Sequence, residues 1–117
     1  MAPQTMHTSA EMQQAIDECI RCHAICVQTV GHSLELGGKR ADPSYIRLLT
    51  DCAEMCQTSA DFMLRGSDFH PRTCGVCAEV CRACAEDCER MAEGDQMIKD
   101  CAEECRRCAE SCEHMAA

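Results

Sequence analysis

Fourteen of the 117 residues are cysteine, and nearly all of them fall at intervals of three and four. Cys74, Cys77, Cys81, Cys84 and Cys88 repeat as the residues of one helix face do, and so do Cys101, Cys105, Cys108 and Cys112. At about 100° per residue the first five span an arc of about 80° and the last four about 60°. Six Cys-x-x-x-Cys pairs can be read: Cys22 with Cys26, Cys52 with Cys56, Cys77 with Cys81, Cys84 with Cys88, Cys101 with Cys105, and Cys108 with Cys112; Cys19 and Cys74 are left over.

Residues four apart on a helix hold their Cβ atoms about 5–6 Å apart, whereas a disulfide wants them near about 3.8 Å. Bridging within a pair would therefore strain the helix. A soft monovalent ion that accepts two nearly opposed thiolates spans the same gap without bending it. Thiolate sites favour Cu(I), zinc and iron–sulfur clusters, and Cu(I) suits this spacing best. Zinc wants four ligands in a tetrahedron, which needs a second pair facing the first at the correct height. The ladder matches neither ferredoxin spacing, and no cysteine precedes a proline. A catalytic cysteine would be one activated thiolate beside a base, not a column of equivalent thiols, so no catalytic residue and no enzyme activity are expected.

Such stripes must be carried by helices, and the punctuation of the chain supplies four. Thr8 and Glu11 have the form of a capping box, and helical pattern runs from about residue 9 to 36, where Gly37 and Gly38 stop it. Asp42 and Pro43 cap and begin a second helix over about 43–65, ended by Gly66. A short connection over Ser67–Pro71 leads to a third at about 72–93, broken at Gly94. Asp95 then caps a fourth, about 95–115. Cys77–Met91 and Cys101–Met115 are copies of one segment at an offset of 24, since 101 − 77 = 24. The expectation is an all-α protein, a single domain over 1–117 folded as an antiparallel up-down-up-down four-helix bundle with a cysteine-lined core.

Thiols are small, apolar and readily buried, so Cys, Ala and Met serve as core where Leu and Ile are scarce. The CAE repeats put Glu54, Glu79, Glu86, Glu103 and Glu110 on the opposite, water-facing side. On the second helix Ser59 and Met63 occupy inward positions that hold cysteine in the later copies. The net charge of −9 argues against nucleic acid as a partner, and no stretch approaches the length of a membrane span. The N-terminal residues show no export signal, which makes the cytoplasm the expected location. In that reducing compartment clustered cysteines read as metal ligands or redox groups.

Aligning the helices about their loops predicts shared levels. Met12, Met63, Cys74 and Met115 fall at one end, with Met6, His7, His70 and His114 close by. Below them come Cys19, Cys77 and Cys112; then Cys22, Cys56, Cys81 and Cys108; then Cys26, Cys52, Cys84 and Cys105; then Cys88 with Cys101. Val30, Leu34 and Leu48 are expected to close the far end, and His23 and His32 to lie on the surface. Thioethers and imidazoles at the first end make Met12, Met63, Met115, His70 and His114 a candidate entrance through which Cu(I) passes inward to tighter thiolate ligands.

With the ladders Cys74–Cys88 and Cys101–Cys112, the shorter sets Cys19, Cys22, Cys26 and Cys52, Cys56, and the connecting turns, nearly the whole chain resembles the copper storage protein family, in its cytosolic branch. The resemblance implies many Cu(I) ions held inside the bundle, mostly by two thiolates each, and assembly as a homotetramer. Ser59 and Met63 depart from a denser thiol lining and imply a smaller capacity. The expected function is storage or buffering of cytosolic copper by all fourteen cysteines. A disulfide-stapled helical scaffold and a zinc or cadmium thiolate sink are the competing readings.

Overall fold

The computed structural model describes residues 9–116. Four helices make up almost all of it: α1 (Ala10–Leu36), α2 (Pro43–Leu64), α3 (His70–Ala92) and α4 (Gln96–Ala116), with one 3₁₀ turn, Gly38–Ala41, between α1 and α2. Ser9 caps α1 by accepting the Met12 N–H at 3.3 Å; Thr8, Met6 and His7 lie outside the described residues. Asp42 caps α2 through the Ser44 N–H at 3.1 Å, and Pro43 opens the first turn, where its missing N–H costs nothing.

Helix ends follow from backbone conformation. At Gly66, φ is +67°, and the Ser67 N–H reaches back to the Phe62 carbonyl while the Gly66 N–H reaches Met63. That paired return satisfies carbonyls left open at the end of α2. The start of α3 differs from expectation: it begins at His70 rather than 72, because Pro71 sits inside the first turn, a position proline favours, instead of ending the loop. Its last residue is Ala92; Glu93 then takes a left-handed conformation, φ +42°, ahead of Gly94. Asp95 accepts the Ile98 N–H at 3.0 Å and caps α4 as expected.

Side-chain pairs fix the helix directions. Cys19 meets Cys112 and Cys26 meets Cys101, so α1 and α4 run oppositely. Arg82 pairs with Glu113 and Arg106 with Glu89, which sets α3 against α4. Cys22 with Cys52, then Ser33 with Tyr45, does the same for α1 and α2. The result is the up-down-up-down four-helix bundle, a rod of 53 × 20 × 19 Å. Glu54, Glu79, Glu86, Glu103 and Glu110 all face solvent, as the repeats require.

Candidate metal centre

All fourteen cysteines are free, and all are buried. Each helix contributes its stripe to one axial column because the i, i+3, i+4 face is the only one on which that helix carries enough apolar area to pack. Alanines at Ala53, Ala78, Ala85, Ala102 and Ala109 fill the flanks of the same faces. Their small size lets the helices approach closely enough for sulfur to meet sulfur.

Sulfur contacts run along the column from Cys19 and Cys112 to Cys26 and Cys101. Cys19 lies 3.4 Å from Cys112 and 3.7 Å from Cys108. Cys56 is 3.6 Å from Cys81 and 3.8 Å from both Cys77 and Cys108. Cys52 is 3.6 Å from Cys81 and 4.0 Å from Cys105, while Cys22 lies 3.7 Å from Cys105. Cys26 is 3.8 Å from both Cys101 and Cys105. Within single helices, Cys22 with Cys26 and Cys77 with Cys81 stand at 4.0 and 3.8 Å. Four sets of four sulfurs lie within 4.8 Å of one another: Cys19, Cys77, Cys108, Cys112; Cys56, Cys77, Cys81, Cys108; Cys22, Cys52, Cys56, Cys81; and Cys22, Cys26, Cys52, Cys105.

These sets correct the expected levels. Cys108 belongs with Cys19, Cys56 and Cys77 rather than beside Cys22, and Cys105 takes the place next to Cys22. The slip is clearest for α1 against α4, while Cys22 with Cys52, Cys52 with Cys81 and Cys56 with Cys77 also bridge adjacent levels. Helices α1 and α4 share no loop, so their relative height accumulates the geometry of three turns, one of them lengthened by the 3₁₀ segment. Neighbouring sets also share corners, so the column is a continuous ladder instead of a stack of separate layers.

Ionisation follows from the sharing of S–H protons. Cys105 and Cys108 keep their protons, with Cys101 and Cys112 respectively the foremost causes among their thiol neighbours. Their neighbours ionise more readily, Cys22, Cys52 and Cys101 with Cys105 as the foremost cause and Cys77 with Cys108. Cys19 is lowered to about 6 by the Cys108 and then the Cys112 hydrogen bond. Cys74 is pushed up by Cys112 and by burial, and Cys88 by Cys101 and then Cys84.

At the end carrying Cys74, Met12 and Met63 are buried and Met115 packs against the core. Ser59 faces inward as expected and lies 3.4 Å from the Cys74 sulfur. The imidazoles do not join this group. His70 directs Nδ1 to the Ser67 carbonyl of its own loop at 3.0 Å, and His114 is exposed beside Glu11, Gln14, Glu110 and Ser111.

At the opposite end the expected lid is only part of the closure: Val30 and Leu48 pack against the core, and Leu34 does not. Leu34 is 51% exposed, and Val30 and Leu48 are only half-buried. The rest of the closure comes from Tyr45, Leu49 and Ile98, together with Thr29 and Ser33, all essentially inaccessible. Thr29 and Ser33 continue the phase of Cys22 and Cys26, so helix geometry turns them inward although they are polar. Thr29 gives its hydroxyl proton to the Ile25 carbonyl at 2.7 Å, and Ser33 lies 3.2 Å from the Tyr45 hydroxyl. Tyr45 in turn stands 4.0 Å from the Cys88 sulfur, and burial raises its phenol. His23 and His32 are half-buried and bonded rather than surface-loose, His23 to the Ala53 carbonyl at 2.8 Å and His32 to Asp95 at 2.8 Å. Each offers a ring N–H to an oxygen on a neighbouring element, which draws it into the groove.

One further pair went unseen in the sequence. Glu18 and Glu104 are buried at the seam of α1 and α4, tethered to Arg21 and Arg107, and each keeps one carboxylate oxygen without a partner. Burial, and then the neighbouring Glu18, raises Glu104 to about 8. Both glutamates flank the cysteine stripe, next to Cys19 and Cys105.

The copper storage protein family model matches residues 8–117. Among solved structures, the chain is similar to the Nmul_A1745 protein of Nitrosospira multiformis, with 47% identity over 91% of this chain and 94% of that one and a TM-score of 0.85. It is similar to Cu(I)-bound BsCsp3, a copper storage protein of Bacillus subtilis, at 31% identity over 92% and 99% of the two chains, TM-score 0.84. A cytosolic copper storage protein of Streptomyces lividans, loaded with five coppers, follows at 28% identity over 91% and 92%, TM-score 0.78. No curated protein sequence matches the chain.

Proposed function

The chain belongs to the copper storage protein family, and from that premise we propose that it stores multiple Cu(I) ions on the thiolates of its fourteen cysteines, buffering copper rather than transforming a substrate. The observation that carries this reading is the unbroken column: fourteen free, buried thiols with sulfur contacts from Cys19 and Cys112 at one end to Cys26 and Cys101 near the other. Each Cu(I) displaces about one thiol proton when metal and cysteine are near parity, so filling leaves the interior close to neutral.

The sulfur geometry also tells against zinc as the principal cargo. Of the four tetrahedral sets at most two can be filled without sharing a ligand, for example Cys19, Cys77, Cys108, Cys112 with Cys22, Cys26, Cys52, Cys105. Zinc in four-thiolate sites carries a net charge of about −2 each, a burden in a dry core. Two-coordinate Cu(I) makes use of every rung.

Under the same reading one domain over the whole chain acts as the store. Met12, Met63 and Met115 form the passage inward; His70 and His114 stand outside it. Cytosolic location is supported by the likeness to the Streptomyces protein, and no described helix is long and apolar enough to cross a membrane. A homotetramer is the assembly implied by the resemblance.

Anaerobic titration with Cu(I) against a chromophoric chelator tests the reading. A plateau near the cysteine count of fourteen supports storage. Saturation at one or two ions would make the protein a carrier and sink the proposal.

A further inference from the structure

The column ends unevenly. Towards the closed end α3 and α4 still supply Cys88 and Cys101, but the inward positions of α1 and α2 are now Thr29, Ser33, Leu49 and Tyr45. Cys88 therefore faces a phenol, as Cys74 at the other end faces the Ser59 hydroxyl, where the rungs between them face thiols. Its sulfur lies 4.0 Å from the Tyr45 hydroxyl, and that hydroxyl lies 3.2 Å from the hydroxyl of Ser33. Thr29 already gives its proton to a backbone carbonyl and is not free to serve.

This arrangement meets a specific chemical need. When two thiols bind one Cu(I), two S–H bonds break, two Cu–S bonds form and two protons leave to the copper donor or to water, so the site carries one negative charge. Within the column the next copper shares those thiolates and offsets the charge. Beyond Cys88 no further thiol stands to hold one, and the Met91 thioether that packs against the core there brings no negative charge to share. A terminal thiolate in an apolar setting is costly unless a donor reaches it. Tyr45 is 1% exposed and carries an O–H at neutral pH as phenols do; with Ser33 as the donor of the pair they form, the phenol proton is left for the sulfur.

We propose that Tyr45 is a positioning residue for the innermost copper: its hydroxyl, backed by Ser33, donates to the Cys88 thiolate and so holds the last Cu(I) of the column. The inference rests on copper storage by the cysteines. It adds to that reading a distinct, tighter ion at the closed end, set by an oxygen donor that is not itself a ligand.

A double-mutant cycle on the full chain tests it, using the wild type, Tyr45→Phe, Cys88→Ala and the combined variant, each titrated anaerobically with Cu(I) against a chelator. Tyr45→Phe removes one hydroxyl and keeps the plug. The expected result is a loss of about tenfold to about a hundredfold in the affinity of one ion, the range for a hydrogen bond to a charged group, with no effect of Tyr45→Phe once Cys88 is alanine. Equal losses in both backgrounds would mean that Tyr45 acts only as filler, and no loss in either would overturn the proposal too. A second measurement needs no variant that must fold. Tyr45 is the only tyrosine and there is no tryptophan, so wild-type emission should change at the loading step that fills the closed end; emission constant through full loading overturns the inference. Failure of the wild type to take up copper at all would strike the storage reading instead, and the two failures are thereby separated.

Discussion

The two ends of the bundle are built from different materials. At the closed end, polar tethers cross between elements: Arg40 donates to the Met91 and Ala92 carbonyls at 2.7 Å each, Lys39 pairs with Glu93, and His32 holds Asp95. Those contacts tie the α1–α2 connection to the α3–α4 turn over a core of Tyr45, Leu49 and Ile98. At the open end, thioethers provide the packing, and the hydrogen bonds of Ser67 and His70 stay within their own loop. Leu64 and Phe69 there are 60% and 59% exposed. One end is fastened and the other merely fitted, and flexible thioethers can re-pack around a passing ion in a way that a hydrogen-bonded corner cannot.

The largest test of this contrast is a pair of substitutions measured in two ways. Ile98→Ala, at a fully buried position of the closed end, should lower the stability of the copper-free protein by about 2–5 kcal/mol in a denaturant titration. Replacing Met63 and Met115 by Leu together should cost less than about 1.5 kcal/mol for each change, because volume is nearly kept. The ranking should invert for kinetics. The methionine double variant should take up Cu(I) roughly tenfold more slowly, a barrier increase of about 1.4 kcal/mol, and reach the same plateau. Unchanged uptake by that variant would remove the passage from the open end.

Acidity distinguishes one thiol near each end, although Cys74 at the open end is itself raised and Cys101 near the closed end lowered. Cys19, one rung below the open end, is lowered to about 6 because Cys108 and Cys112 share their protons with it, whereas Cys88 at the far end is pushed up by Cys101 and Cys84. A thiolate is the competent ligand. Below pH 6 the ionised fraction of Cys19 falls about tenfold per pH unit, and above it the fraction is nearly constant. First capture of Cu(I), followed by stopped flow at substoichiometric metal, should therefore slow as pH falls through about 6 and be flat above it. Cys19→Ser should abolish that inflection. An inflection near the ordinary thiol range in the wild type would mean that capture starts elsewhere in the column.

Sequence periodicity made the helices and the inward thiols legible, because a cysteine at i, i+3, i+4 has only one face on which to lie and glycine and proline mark the turns. It was weaker wherever two distant elements had to be set against each other. The α1–α4 register slipped, placing Cys108 beside Cys22, since no loop joins those helices. Hydrophobicity misjudged the closed end: Leu34 was expected to seal it, yet Thr29 and Ser33 lie on the buried phase. Their polarity is tolerable only because the Ile25 carbonyl and the Tyr45 hydroxyl accept or share their protons. Glu18 and Glu104 are illegible for a related reason, since nothing in the CAEE string that holds Glu104 or the DEC string that holds Glu18 says that the side chain meets another carboxylate across a seam.

The smallest predicted effect bears on whether the open end stores copper or only passes it. Ser59 stands where the later repeats carry cysteine, fully buried, with its oxygen 3.4 Å from the Cys74 sulfur. Cys74 thus has a hydroxyl for its neighbour on α2, one turn above the Cys56 and Cys77 contact. Ser59→Cys would place a second sulfur beside it on a rigid helix, with a side chain only slightly larger than the one removed. If the end is a true rung lacking one ligand, the Cu(I) plateau should rise by about one ion, while the melting temperature of the copper-free protein barely moves. If the plateau is unchanged and uptake slows, the added thiolate is holding copper in the passage, and the two ends differ in role as well as in construction.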